Sequence, residues 1–270
     1  MTVPPPTPQF ASLVYGPRGV PLDDPAELFH EASSLYPNLA PERLELLREL
    51  ESGSDLVRTL ARSSRKHDHR PGVDLPEAAP LERPLAEVLA RRRSRRPEVL
   101  RPLELGDLGA VLQAAYAAGG RQHGLRLRPV PSAGALYPLE LYVLAPAVRE
   151  LEPALYHFDP FRSRLALLGP LDPAGVGAAL VDGALAPGTA ALLVVTGVFW
   201  RSRCKYGLRG YRFALLEAGH LMQNVVLAAA SLDLQALPLG GFYDRRVDAL
   251  VGADGVDEAT VYAVALGGRA

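Results

Sequence analysis

The sequence predicts an α+β fold, a mixed or antiparallel central sheet flanked by helices. Three observations carry this expectation. "LELYVLA" (139–145) and "ALYHFD" (154–159) have strand character and follow each other closely. "AALLVVTGVFW" (190–200) is a continuous apolar run rich in β-branched residues, which suits a central strand buried on both faces. Segments of helical periodicity then bracket these strands, the arrangement of a sheet covered by helices.

In chain order, residues 1–80 alternate proline-rich pieces with short amphipathic runs such as "DPAELFHEASSLY" and "PERLELLRELES". A polar stretch, "ARSSRKHDHRPGVD", reads as a loop. This region is expected to be an N-terminal arm or small helical segment, and residues 81–270 the main domain. "RPLAEVLARRRS" (83–94) predicts a helix with Pro84 tolerated in its first turn. "ELGDLGAVLQAAYAAGG" (104–120) predicts a second, stopped by Gly119 and Gly120. A long helix over 209–232, a short one near 245–251 and a final strand, "ATVYAVAL" (259–266), complete the pattern. No internal repeat is found.

The chain has 270 residues, 48% of them hydrophobic, enough for one large core or two modest ones. A net charge of −1 gives no global electrostatic support for nucleic-acid or membrane-surface binding. Cys204 is the single cysteine, so no intramolecular disulfide forms and a cysteine-rich zinc site is excluded. The start lacks a basic-then-apolar signal pattern, and no uninterrupted apolar stretch reaches the length of a membrane span. A cytoplasmic location is expected, with neither nucleic acid nor membrane as partner.

Several motif-like stretches are set aside. "GVGAAL" (175–180) begins like a dinucleotide fingerprint, but its third glycine is missing, "LDPAG" before it reads as a turn, and no strand is expected there. Ser132 lies in "PSAGA", which is not a nucleophile elbow. His67 and His69 in "HDHR" have no third ligand in view, so no metal site is expected.

Four stretches carry chemistry. "ARRRSRRP" (90–97) is either a solvated helix end or a phosphate cradle, because guanidiniums and a serine hydroxyl form charge-assisted bonds to phosphate. "RPVPSAGALYPLELYV" (128–143) puts Gly134 where backbone can approach a flat ligand, unless it is an ordinary loop. "LPLGGFYD" (237–244) exposes the N–H groups of Gly240 and Gly241, or makes a plain turn. "SRCKYGLRGYRFALLEAGHLMQN" (202–224) sets Lys205 and Tyr206 before a glycine-marked turn. The helix that follows is apolar nearly all round, so it is expected to be buried, yet it carries Glu217, His220, Gln223 and Asn224. Those four are expected to satisfy one another, an interface or a cofactor pocket.

Together, and in their order along the chain, the four stretches resemble the nitroreductase-like flavoproteins, and within them the SagB-type (ThcOx-like) dehydrogenases associated with azole-containing ribosomal peptides. The resemblance spans roughly 82–268, and "FHEASS" (29–34) is similar to a segment that often precedes this domain. It implies a nitroreductase-like α+β fold and a homodimer with FMN at the interface. By this resemblance Arg92, Arg93, Ser94 and Arg96 hold the FMN phosphate and ribityl chain. Pro131, Ser132, Ala133 and Gly134 lie near the isoalloxazine from the other subunit of the dimer, Gly240 and Gly241 give backbone donors near N5, and Arg269 is a weaker match to a basic residue that reaches the phosphate. The Lys–Tyr pair of azoline-oxidising members maps onto Lys205 and Tyr206.

The resemblance implies oxidation of azoline rings in a ribosomally made peptide to azoles, with O2 as electron acceptor. Lys205 is then the base, helped by nearby arginines and partial burial, and Tyr206 its hydrogen-bonding partner. Lys205 in a surface ion pair is the plain alternative. The N-terminal arm is a candidate for contact with a leader peptide or a partner cyclodehydratase. Two other functions stay open: an NAD(P)H-dependent nitro or enone reductase, and a cofactor-free peptide-binding scaffold.

Overall fold

The computed structural model describes residues 24–35, 59, 64–122 and 125–269. The chain divides into two compact units, 1–44 and 45–270. In the first, α1 (Pro25–Ala32) starts as its sequence dictates: Pro25 opens the first turn, and the Asp24 side chain accepts from the N–H groups of Ala26 and Glu27 at 2.8 and 3.1 Å. The run "PERLELLRELES" lies outside the described residues.

The second unit contains, in order, β1 (Gly72–Asp74), α2 (Leu85–Arg91), α3 (Leu105–Tyr116), β2 (Arg121–Gln122), β3 (Leu125–Arg126), β4 (Leu139–Ala145), β5 (Ala154–Asp159) and β6 (Arg164–Pro170). It continues with α4 (Pro173–Ala179), β7 (Ala191–Val198), α5 (Trp200–Tyr206), α6 (Leu208–Ser231), β8 (Leu234–Leu239), α7 (Asp244–Val251) and β9 (Glu258–Arg269). A seven-stranded sheet has the order β1-β6-β5-β4-β7-β9-β8, every neighbouring pair antiparallel. The sheet therefore takes in β1, upstream of residue 81.

Strand alternation sorts the core into two layers. Leu139, Leu141 and Val143 of β4, with Leu193 and Val195 of β7, face α3 and α6. Tyr142 and Leu144, with Leu192 and Val194, face α4 and α7. Both faces of β7 are thus covered, as the apolar run predicts.

Register defines the end of the sheet that matters for function. Leu139 opposes Gly197, and Val198 opposes Glu258. Leu239, the last residue of β8, opposes Ala263, so β8 runs out toward the N-terminal end of β9. This end therefore receives the loop before β4, helix α5 after β7, and Gly240–Gly241 after β8.

The structure departs from the sequence reading at identifiable places. Residues 173–179 form α4, its start capped by Asp172 accepting from Gly175 N–H at 2.9 Å, where a turn was expected. A strand, β6, does precede "GVGAAL", but it is antiparallel to its neighbours and so builds no parallel βαβ unit. Lys205 and Tyr206 end a helix of their own, α5. The turn after them is Gly207 alone, at φ +56°. Gly210 lies inside α6, where a Cβ would stand 2.7 Å from the Ser202 carbonyl carbon; its bareness lets α5 and α6 approach. Helix α6 is also long and apolar enough to cross a membrane by length and composition, with half of its most apolar window buried inside this fold.

Candidate active site

Lys205 sits at the end of α5 and is 8% exposed, so it is not a surface ion-pairing lysine. Its Nζ lies 5.3 Å from the centroid of the Tyr206 ring, and that ring packs edge-on against Phe213 at 5.1 Å. The loop before β4 closes on the pair. Gly134 adopts φ +62°, and a Cβ there would stand 2.7 Å from Tyr206 Oη and 3.4 Å from Lys205 Nζ. The glycine that permits backbone approach and the lysine–tyrosine pair, far apart in sequence, thus meet in one place.

Behind the loop is a buried carboxylate. Glu217, on α6, accepts from Tyr116 Oη at 2.8 Å and shares a hydrogen bond with the Ser132 hydroxyl. Ser132 Oγ also accepts from Tyr137 N–H at 2.9 Å. Arg128 lies over the rings of Tyr116 and Tyr137 at 4.3 and 4.6 Å, and the Tyr137 hydroxyl accepts from its backbone N–H at 3.0 Å. Burial pushes the Glu217 carboxyl up to about 7, against the lowering effects of Ser132, Tyr116, Arg128 and Arg201. Glu217 therefore separates from its expected companions: it points inward, while His220 and Gln223 are exposed and Asn224 is half-buried. The four are not one satisfied stripe, because inward and outward positions alternate along the helix.

A second buried carboxylate anchors α5. Glu140 on β4 accepts from Arg201 Nη2 at 2.5 Å and from Arg65 N–H at 2.8 Å, and it bonds His157 Nε2 at 2.8 Å. Burial opposes its ionisation, but the Arg201 charge and the His157 hydrogen bond outweigh burial and hold the carboxyl far below the usual range. Arg201 lies one helical turn before Lys205, so this pair fixes the helix that presents the lysine. His67 is half-buried and packs edge-on against His157 at 5.0 Å, while His69 is exposed.

The arginine segment runs beside the edge strand: Arg95 N–H donates to Ala236 O of β8 at 2.9 Å. Arg91, Arg93 and Arg95 line a small depression with Asp233. Arg93 donates to the carbonyls of Ala90 and Arg92 at 2.9 and 2.8 Å, and Arg96 pairs with Asp182. Ser94 is exposed, Arg92 half-exposed, and Gly240 and Gly241 are both exposed. Arg269 opposes Leu234 at the same end of β8, but its side chain turns to Asp107 of α3, which it bonds at 3.0 Å.

These residues fit FMN, the cofactor the resemblance implies. Exposed guanidiniums and the Ser94 hydroxyl are phosphate donors, and the bare Gly134 lets the Tyr206 hydroxyl and Lys205 Nζ pack against its backbone, with no side chain between them and the loop there. Arg92, Arg93 and Ser94 would hold the phosphate, with Arg96 joining on release of Asp182. Ser132, Gly134, Gly240 and Gly241 would line the ring.

Sequence reasoning did not single out Tyr116, Arg128, Glu140 or Arg201 for this site. Glu140 had a signal: it is the only charged residue in "LELYVLA", a strand of otherwise apolar side chains.

Residues 89–268 match the family described as "Nitroreductase family". A Methanocaldococcus jannaschii protein bearing the name nitroreductase is 36% identical over 179 residues, covering 65% of this chain and 86% of its own. The Escherichia coli microcin B17-processing protein McbC is 32% identical over 128 residues, 44% of this chain and 46% of McbC. Among solved structures, a nitroreductase-named protein of Anabaena variabilis aligns with a TM-score of 0.64 at 25% identity, over 75% of this chain and 42% of that one. A chain of the E. coli microcin synthetase McbBCD complex, solved with truncated pro-MccB17 bound, aligns with a TM-score of 0.57 at 21% identity, over 90% of this chain and 96% of that one. The chain thus spans less than half the length of McbC and of the Anabaena protein.

Proposed function

This chain belongs to the nitroreductase family of FMN-dependent oxidoreductases, and from that premise we propose that it dehydrogenates azoline rings of a ribosomally made peptide. The observation that carries the reading is the convergence of Lys205, Tyr206 and Gly134. A buried lysine beside a tyrosine hydroxyl, facing the bare Gly134 of the loop, is suited to taking a proton from a flat ring laid against it. The similarity to McbC, a peptide-processing protein by name, supports the same substrate class.

In this reading the azoline loses two hydrogens. Lys205 Nζ takes the acidic ring proton, and Tyr206 Oη holds the substrate or relays that proton outward. FMN, when bound, would supply the two-electron acceptor for the other hydrogen, with O2 as the final oxidant. Glu140 and Arg201 keep α5, and so Lys205, in position. We extend the reading to a homodimer, supported by the exposed leucines Leu208, Leu215 and Leu216 along α6, and to a cyclodehydratase partner that supplies the azoline.

Lys205→Ala and Tyr206→Phe proteins should purify yellow and dimeric yet lose azoline oxidation, followed as oxygen uptake with an azoline peptide. Full activity in both overturns the assignment. The nitroreductase name of the 36%-identical relative favours a second reading, NAD(P)H-driven reduction of nitro or enone compounds. It predicts NAD(P)H consumption that survives Lys205→Ala.

A further inference from the structure

The reaction above leaves Glu217 unused, although it is a buried carboxylate directly behind the substrate-side loop. Its link to that loop is the hydroxyl of Ser132, and a hydroxyl has one hydrogen to donate and two lone pairs to accept with. One lone pair is taken by Tyr137 N–H at 2.9 Å. What remains depends on Glu217. When Glu217 is a carboxylate it can only accept, so Ser132 turns its hydrogen inward. When Glu217 carries a proton it donates to Ser132 Oγ and fills the second lone pair. The hydrogen of Ser132 is then released from Glu217 and can turn to the open side of the loop, where Ser132 is half-buried and Gly134 exposed. Tyr116 stays a donor to Glu217 at 2.8 Å in both states.

We propose that Glu217 is a positioning residue that sets the direction in which Ser132 donates, and so decides whether this hydroxyl serves the acceptor atoms of the FMN ring edge. The proposal rests on reading the 131–134 loop as an FMN contact. The charged and titratable groups around Glu217 are Tyr116 from α3, Arg128 from the loop, Arg201 from α5 and, acting on Tyr116, Glu140 from β4. Arg128 and Arg201 favour the carboxylate and burial favours the acid, which brings the change into the neutral range.

The test is the affinity of the apoprotein for FMN, read by quenching of flavin fluorescence across about pH 5 to 9. It needs no azoline substrate, so its outcome is separable from the activity assay above. The wild type should bind roughly 3- to 10-fold more tightly on the acid side, the worth of one hydrogen bond. Glu217→Gln, whose amide donates permanently, should bind at the acid-side affinity at every pH. Ser132→Ala should bind weakly at every pH while leaving Glu217 in place, and it covers the case in which Glu217→Gln fails to fold. A pH step that persists in Glu217→Gln or in Ser132→Ala overturns the inference while the loop contact stands. An affinity that Ser132→Ala leaves unchanged at all pH values overturns both the inference and the contact it rests on.

Discussion

Glu140 and Glu217 are each 2% exposed and both feel Arg201 of α5, yet one is held as a carboxylate and the other is poised near neutrality. The difference lies in their partners. Glu140 has a guanidinium at 2.5 Å and a histidine at 2.8 Å in direct contact. Glu217 has two hydroxyls in contact, while the cations Arg128 and Arg201 act on it without a direct hydrogen bond. Neutral donors stabilise a buried charge less than a paired cation does, so burial dominates at Glu217 and the cation dominates at Glu140. Arg201 takes part in both balances, and this makes α5 the element on which they meet.

The largest effect should come from breaking the paired site. Glu140→Ala leaves Arg201 buried without its counter-charge and His157 without its acceptor, at a cost of about 3–5 kcal/mol in urea unfolding. It should also slow any reaction that depends on Lys205. Glu140→Gln, which keeps the shape but not the charge, should fall between this variant and the wild type.

The next effect separates the two carboxylates by pH. The folded pKa of Glu217 lies above its ordinary value of 4.5, so its stabilising contribution is complete below that value and is lost as pH rises to about 7. The loss amounts to about 3 kcal/mol at the conversion of about 1.36 kcal/mol per unit. Glu140 has the opposite sign: its folded pKa is depressed, so its contribution is present above 4.5 and is lost on acidification below it. Unfolding curves at stepped pH, with wild type and Glu217→Gln compared, should show the Glu217 decline vanish in the variant while the acid-side loss remains.

A smaller effect tests the loop that joins the two sites. Gly134→Ala forces a Cβ into a left-handed conformation, at about 1–2 kcal/mol, and sets it 2.7 Å from Tyr206 Oη. Tyr206 must move, so the variant should lose more activity than stability. Equal activity would show that the hydroxyl is not held where the reaction needs it.

Much of this was legible in the residues themselves. The strands 139–145 and 154–159 are found as read, because short apolar runs of strand-favouring residues between turns have few other solutions. Strand β6 was missed because "RLALLGP" ends in glycine and proline, which read as a turn. Helix α4 was missed because two glycines hid a helix that Asp172 and Pro173 start. At the candidate site, the segments proposed to approach the ligand carried local signals, namely glycines, arginines and the Lys–Tyr pair. The groups that set the electrostatics did not. Tyr116, Arg128, Glu217 and Ser132 come from separate segments, and only the packing of α3 and α6 under one face of the sheet brings them together.

Arg269 gives the smallest expected effect. The resemblance implies that it reaches the FMN phosphate, whereas in the fold its guanidinium bonds Asp107 at 3.0 Å and its carbonyl accepts from Arg101 at 2.9 Å. Its side chain is 64% exposed, so screening by water limits the pair to at most about 1 kcal/mol. Arg92 stands in the segment beside β8 that offers several guanidiniums to a phosphate, and each phosphate contact is a charge-assisted bond worth about 1.5–3 kcal/mol. Arg269→Ala should therefore lower stability by less than about 1 kcal/mol and weaken FMN binding far less than Arg92→Ala, with fluorescence titration as the measure. Equal weakening by the two variants would mean that Arg269 releases Asp107 when FMN binds. The C-terminal end of β9 would then belong to the phosphate site and not to the anchoring of α3.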